Sequence, residues 1–148
     1  KGFGIVLTIA GIGITLGALT APYGVARFGR HRWIRWSLLA SAFGPLILVA
    51  WQTEIALALT GFLVALCGQN VKVTNDALVQ SKIDDYYRGR VFAVYDVLVN
   101  GAIVSGGLIA ALMLPTSGVT PWVPALVSAI YLLVALRLLR PKTFYLKV

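Results

Sequence analysis

The chain has 148 residues, of which 59% are hydrophobic and 12% are charged, and its mean hydropathy is +0.86. This leaves too little polar surface to cover a water-soluble globule, so the composition excludes an ordinary soluble domain and favours a protein solvated by lipid. A net charge of +8 is expected of a multi-span membrane protein with cytoplasmic Lys and Arg, so we predict the lipid bilayer, and no nucleic acid, as a partner.

Five apolar segments follow one another along the chain, each close to or beyond the roughly 20 residues that cross a hydrocarbon core. We predict transmembrane helices over residues 3–21, 34–51, 55–83, 91–114 and 122–139. The connections are too short for an extramembrane domain, so residues 1–148 are expected to form a single transmembrane domain. The predicted fold class is an all-α membrane protein, a polytopic bundle of five transmembrane helices.

Lys and Arg are distributed unevenly between the two ends of these spans. Eleven of the 13 lie on one side: Arg27, Arg30, Arg32, Arg35, Lys82, Arg88, Arg90, Arg137, Arg140, Lys142 and Lys147. The opposite connections carry none, and only Lys1 belongs on that side. Because basic residues collect at cytoplasmic span ends, we predict a plasma or inner membrane protein. Its first loop, its third loop and its C-terminus are expected to be cytoplasmic.

Small residues recur on two of the predicted helices. Gly13, Gly17 and Ala21 repeat every four residues, which predicts a flat strip where a neighbouring helix approaches closely. A similar cluster on the fourth span comprises Gly101, Ser105, Gly106, Gly107 and Ala110. One interpretation is that both clusters only allow tight helix packing. The functional alternative is that these smooth faces let helices slide or rock during a transport cycle.

The third span carries a polar face. Gln69, Lys72, Asp76 and Gln80 recur at intervals of three and four residues, so they share one side of a helix. Such a face would be costly against lipid and should point into protein or a water-filled cavity. In one interpretation Lys72 extends toward the headgroups with Asp76 as a modest partner. In the other, Gln69, Asn70 and Lys72 line a substrate pathway that Asp76 helps to gate.

Asp96, near the start of the fourth span, also has two interpretations. A carboxylate there is stabilised by the positive end of the helix dipole. Alternatively, Asp96 pairs with loop arginines and closes the cytoplasmic face in one state, releasing it in another.

The sequence contains no catalytic or metal-binding set. The single histidine, His31, lies in a basic loop, and the single cysteine, Cys67, lies inside a span, so they form neither a triad nor a metal site. No glycine loop precedes a lysine in the manner of a phosphate-binding motif. We therefore predict a protein that is not an enzyme and that needs no cofactor.

Two connections carry basic motifs with a glycine between arginines. The first, residues 22–32, reads PYGVARFGRHR and resembles the cytoplasmic signature of the major facilitator superfamily, in which a glycine and an acidic residue precede Arg-x-Gly-Arg-Arg. Pro22 and Ala26 replace that glycine and acid, as is usual in the second-half copy. The matching positions are Arg27, Gly29, Arg30 and Arg32.

Residues 79–92, VQSKIDDYYRGRVF, give the more specific match. They resemble the connection between the tenth and eleventh helices in drug and siderophore exporters of this superfamily. The cytoplasmic gating residues implied on this side are Asp84, Arg88, Gly89 and Arg90, together with Asp96.

The resemblance covers nearly the whole chain and assigns the five spans to helices eight to twelve of a twelve-helix member. We therefore expect a piece of a longer protein that lacks the N-terminal half. The superfamily implies alternating access between two six-helix halves, with a small molecule bound between them and transport often coupled to protons.

These features predict a segment of an ion-coupled exporter of small amphipathic molecules, with the missing half and the substrate as partners. Two alternatives remain open at this stage. One is a non-transporting membrane subunit or truncated paralogue packed in a larger complex. The other is a lipid transporter, since drug efflux and lipid handling both use an amphipathic cavity.

Overall fold

A computed structural model describes residues 2–115 and 120–137, and within these ranges the chain is helical, without strands. The helices are α1 (Gly2–Phe28), α2 (Arg30–Ala50), α3 (Glu54–Lys82), α4 (Asp85–Met113) and α5 (Trp122–Arg137). The predicted all-α fold class is confirmed. Helices α1 to α4 are long and apolar enough to cross a membrane, and α5 is a shorter apolar helix. Residues 138–139 of the fifth predicted span lie outside the described residues.

The first predicted loop is almost entirely helical. Helix α1 continues through Pro22 to Phe28, and α2 begins at Arg30, so that Gly29 alone separates them. Gly29 has a φ of 79°, a left-handed conformation that glycine adopts without steric cost. Its N–H donates to the Val25 carbonyl, and its carbonyl accepts from the Trp33 N–H, both at 3.0 Å. Hydrogen bonding therefore continues on both sides of a one-residue break.

The connection between α3 and α4 is also shorter than the sequence predicts. Only Ile83 and Asp84 lie between the two helices, and the basic segment from Arg88 to Arg90 belongs to the first turns of α4. The N–H groups of Tyr87 and Arg88 donate to the Asp84 carbonyl at 3.0 and 3.1 Å, which starts the helix. The connection is therefore short, although α4 does not pack along α3 within the described residues.

Helix α3 lies at the centre of the packing. It contacts α1 extensively and α2 on another side, and α2 packs in turn against α5. The buried hydrophobic residues are all small: Ala21, Ala42, Ala56, Ala58, Cys67 and Ala135. Large apolar side chains such as Leu19 and Ile55 are 61% and 74% exposed. This distribution is the one expected where lipid surrounds the helices and small residues bring them together.

The predicted strip of small residues on the first span is confirmed. Gly13 and Gly17 are buried against the backbone of α3: a Cβ at Gly13 would lie 2.6 Å from the Phe62 carbonyl oxygen, and one at Gly17 would collide with the Leu66 carbonyl. The glycines of the α4 cluster, by contrast, have open space around them among the described residues. No residue of α4 is buried within the described part of the chain.

Pro45 lies inside α2, which remains one helix across it. Two neighbouring carbonyls of α2 accept hydrogen bonds from other helices. The Thr60 hydroxyl of α3 donates to the Gly44 carbonyl at 2.8 Å, and the Ser128 hydroxyl of α5 donates to the Ala42 carbonyl at 2.7 Å. A proline is tolerated in a membrane helix when side chains of neighbouring helices satisfy the surrounding backbone in this way. The proline turn therefore joins three helices.

Candidate functional site

The polar face of α3 contains an ion pair. The Lys72 ammonium nitrogen lies 2.8 Å from Asp76 Oδ2, one helical turn away, and the two side chains are 43% and 25% exposed. Asp76 Oδ1 is buried and has no hydrogen-bond partner among the described residues. Gln69 is half-buried, with its Cβ against Gly17 of α1. The predicted polar residues therefore lie together, with Gln69 at the edge that touches α1.

Tyr95 of α4 lies beside both charged groups of this pair, although sequence reasoning did not single it out. The short connection at Ile83 and Asp84 keeps the first turns of α4 within reach of the polar face of α3. The sequence carries no signal for this position beyond the closeness of both segments to the same connection. Lys72, Asp76 and Tyr95 are called the charged cluster below.

Asn70 has a different environment from its neighbours on α3. It is 2% exposed. Its Oδ1 accepts from the Thr20 hydroxyl of α1 and from the Trp33 indole N–H of α2, each at 3.2 Å, and its Nδ2 donates to the Leu66 carbonyl at 3.0 Å. Asn70 thus uses its side chain to join three helices. Thr20, Trp33 and Asn70 are called the Asn70 clasp below.

Further contacts fix the Trp33 ring within the clasp. The ring stacks on Phe28 with centroids 5.9 Å apart and planes inclined by 4°. Gly24 lies directly against the indole, where a Cβ would overlap the ring. The end of α1 and the start of α2 are therefore held in a fixed arrangement beside α3.

The predicted gating residues are mostly exposed. Arg27 and Arg32 are exposed and Arg30 is half-buried. The ion pairs among the described residues are Lys72 with Asp76 and Arg88 with Asp85. The structure therefore does not bring Asp96 into an ion pair with Arg30 or Arg32, and Asp84, Gly89 and Arg90 lie exposed around the start of α4.

The whole sequence pattern matches a known family. Residues 1–146 match the family model of the Major Facilitator Superfamily. The chain belongs to this superfamily. Membership agrees with a multi-pass membrane protein, as do the apolar helices and the exposure of the large apolar side chains.

Several members of the superfamily are similar to the chain. It is 32% identical over 122 residues to uncharacterised MFS-type transporters of Mycobacterium bovis and Mycobacterium tuberculosis, a match that covers 82% of this chain and 27% of each relative. It is 30% identical over 115 residues to a Na(+), Li(+), K(+)/H(+) antiporter of Planococcus maritimus, covering 74% of this chain and 27% of that protein. The chain thus spans about a quarter of these relatives. No solved structure matches it.

Proposed function

We propose that this chain is the segment from helix eight to helix twelve of a secondary active transporter, an ion-coupled exporter of small amphipathic molecules that works by alternating access. The observation that carries the proposal is the Lys72–Asp76 ion pair inside a membrane-spanning helix. Charged side chains within a span are costly, and they are retained chiefly where they serve a transport pathway. A scaffold subunit would have no use for such a pair.

The geometry of the pair supports ion coupling. Asp76 Oδ1 is buried without a hydrogen-bond partner among the described residues, so this carboxylate offers a site for the coupling cation. A cation bound there competes with Lys72 for the carboxylate, and the released ammonium then binds an anionic or polar substrate group. The antiporter function named for the Planococcus maritimus relative agrees with coupling to protons.

The substrate pathway in this proposal follows the polar face of α3. Gln69, Lys72 and Asp76 line it, and Asn70 contributes by holding the backbone of that face against α1 and α2. Tyr95 also lines a shallow, open groove on the surface of α4, together with Val91, Val94 and Leu98. An apolar surface beside a charged pair is suited to an amphipathic molecule.

The remaining parts of the proposal concern orientation and gating. The helix ends that carry the arginines lie on the cytoplasmic side of the cell membrane, in line with the excess of Lys and Arg found there in membrane proteins. The N-terminal half of the transporter covers the opposite side of the pathway. Asp96 pairs with Arg30 or Arg32 when the cytoplasmic side closes, a contact that the present arrangement does not contain.

Everted membrane vesicles containing the full-length protein test this function, with ethidium as the fluorescent probe. We expect energised vesicles to accumulate ethidium faster than vesicles without the protein. Asp76→Asn should lower the initial rate about tenfold at equal protein amounts. This factor corresponds to an increase of about 1.4 kcal/mol in the activation free energy of the rate-limiting step. Glu54→Gln is the matched control, since Glu54 is an exposed carboxylate at the start of the same helix and forms no ion pair among the described residues.

Two outcomes would contradict the proposal. Full ethidium transport by Asp76→Asn would exclude this carboxylate from coupling. Failure of Asp76→Asn to accumulate in the membrane, with Glu54→Gln unaffected, would assign Asp76 to folding.

A further inference from the structure

A crevice lies where the end of α1, the start of α2 and the last third of α3 meet. Its volume is about 320 Å³. Small apolar side chains of α1 and α3, among them Ala26 and Ala77, form most of its walls, and Arg30 is the one charged residue that lines it. Thr74 also lines it, but its hydroxyl already donates to the Asn70 carbonyl at 2.7 Å. Arg30 is therefore the polar group available to a molecule in the crevice.

The charge around this crevice is strongly unbalanced. Arg30 forms no ion pair with any described residue, and neither do Arg27 and Arg32. The first turn of α2 contains no acidic residue. The described part of the chain therefore leaves several positive charges uncompensated at one edge of an apolar crevice, and an anion is the complementary ligand.

The position of the crevice along the helices indicates its depth in the membrane. Ala26 lies two residues before the end of α1, and Ala77 lies five residues before the end of α3, or about 8 Å at 1.5 Å per residue. The ends of these long helices reach the headgroup region. The crevice therefore lies where headgroups meet acyl chains.

We propose that the crevice binds one anionic phospholipid, with the lipid phosphate on the Arg30 guanidinium and an acyl chain along the apolar walls. Guanidinium groups bind phosphate through paired hydrogen bonds. The leaflet is the cytoplasmic one if the proposed orientation holds, but the site itself does not depend on that orientation.

Native mass spectrometry of the full-length protein tests this site, with phosphatidylglycerol and phosphatidylcholine of identical acyl chains as the competing probes. We expect wild type to retain phosphatidylglycerol preferentially. Arg30→Gln should lower that preference about fivefold, which corresponds to the ~1 kcal/mol that one basic side chain contributes near anionic lipid. Arg137→Gln is the matched control, because Arg137 is an exposed arginine at the same side of the membrane, on α5, and lines no part of the crevice.

A second variant tests the apolar walls of the crevice independently of the charge of Arg30. Ala77→Leu fills part of the cavity and keeps Arg30, so we expect it to reduce retention of phosphatidylglycerol as well. Equal losses in Arg30→Gln and Arg137→Gln would show a diffuse effect of surface charge and overturn the proposal. Unchanged retention in Ala77→Leu would overturn it too, as would a wild-type protein that retains both lipids equally. Ethidium transport is a separate readout, so failure of this site leaves the transport test intact.

Discussion

The indole nitrogen of Trp33 donates a hydrogen bond to the side-chain oxygen of Asn70 across the α2–α3 interface, at 3.2 Å. Thr20 donates to the same oxygen from α1. A single amide oxygen is therefore the common acceptor for donors from two helices, and it joins the last third of α1 and the first turn of α2 to α3.

Asn70→Ala should destabilise the protein. The substitution leaves the half-buried indole N–H of Trp33 without its acceptor, at a cost of about 1 kcal/mol. Thermal unfolding of the detergent-solubilised full-length protein, followed by tryptophan fluorescence, measures the loss. Asn75→Ala is the control, because Asn75 is half-buried on the same helix and lies outside the clasp. Equal melting temperatures for the two variants would contradict the assigned role of Asn70.

Gly17→Ala should also lower stability, by overpacking. The new Cβ would collide with the Leu66 carbonyl, and a helix shift to relieve such a clash costs about 1–3 kcal/mol. Gly11→Ala, on the same helix with open space around it, should be neutral or slightly stabilising, since alanine favours a helix by up to about 1 kcal/mol over glycine. The melting temperatures should therefore change in opposite directions or only in Gly17→Ala. A loss in Gly11→Ala as large as that in Gly17→Ala would argue against close packing as the cause.

Thr60→Val should weaken the attachment of α3 to the proline turn of α2. It removes the hydrogen bond to the Gly44 carbonyl while keeping the shape of the side chain. Interhelical hydrogen bonds in membranes contribute about 0.6 kcal/mol on average, so a small but measurable fall in the free energy of unfolding is expected. Thr15→Val is the control, because Thr15 donates to Gly11 within its own helix. Denaturation in detergent and SDS mixtures measures both, and an effect of Thr15→Val as large as that of Thr60→Val would contradict the interhelical role.

Tyr95→Phe should slow transport without lowering the amount of protein in the membrane. Tyr95 lies beside Asp76, and removal of its hydroxyl takes a polar neighbour from the carboxylate. We expect a rate up to about fivefold lower, a factor that corresponds to about 1 kcal/mol of activation free energy. Ethidium accumulation in vesicles measures the rate, and Tyr86→Phe, at an exposed position of α4, is the control. Unchanged transport in Tyr95→Phe would contradict a role of the Tyr95 hydroxyl in transport.

Composition and hydropathy were sufficient to predict an all-helical membrane protein, because five long apolar segments in lipid must satisfy their backbones within helices. The spacing of Gly13 and Gly17 also predicted where α1 is contacted. These properties belong to single segments, and they do not depend on which helices become neighbours.

The helix ends and the site contacts could not be predicted in the same way. One proline, two glycines and three arginines at residues 22–32 suggested a long loop. Helix α1 nevertheless continues through Pro22, and only Gly29 interrupts the helices. The acceptor role of Asn70 depends on residues 50 and 37 positions away in the sequence, which only the packing of three helices brings together. The pairing of Lys72 with Asp76 could be predicted because the two residues lie one turn apart on the same helix. The position of Tyr95 could not, because it depends on the short connection between α3 and α4.

The one-residue break at Gly29 leaves no spare chain between α1 and α2. A tilt of either helix must be matched by the other or absorbed in the two backbone torsions of this glycine. Relative movement of α1 and α2 is thereby limited to changes in the φ and ψ angles of Gly29. Any other residue at this position would have to adopt a φ of 79°, which is sterically unfavourable.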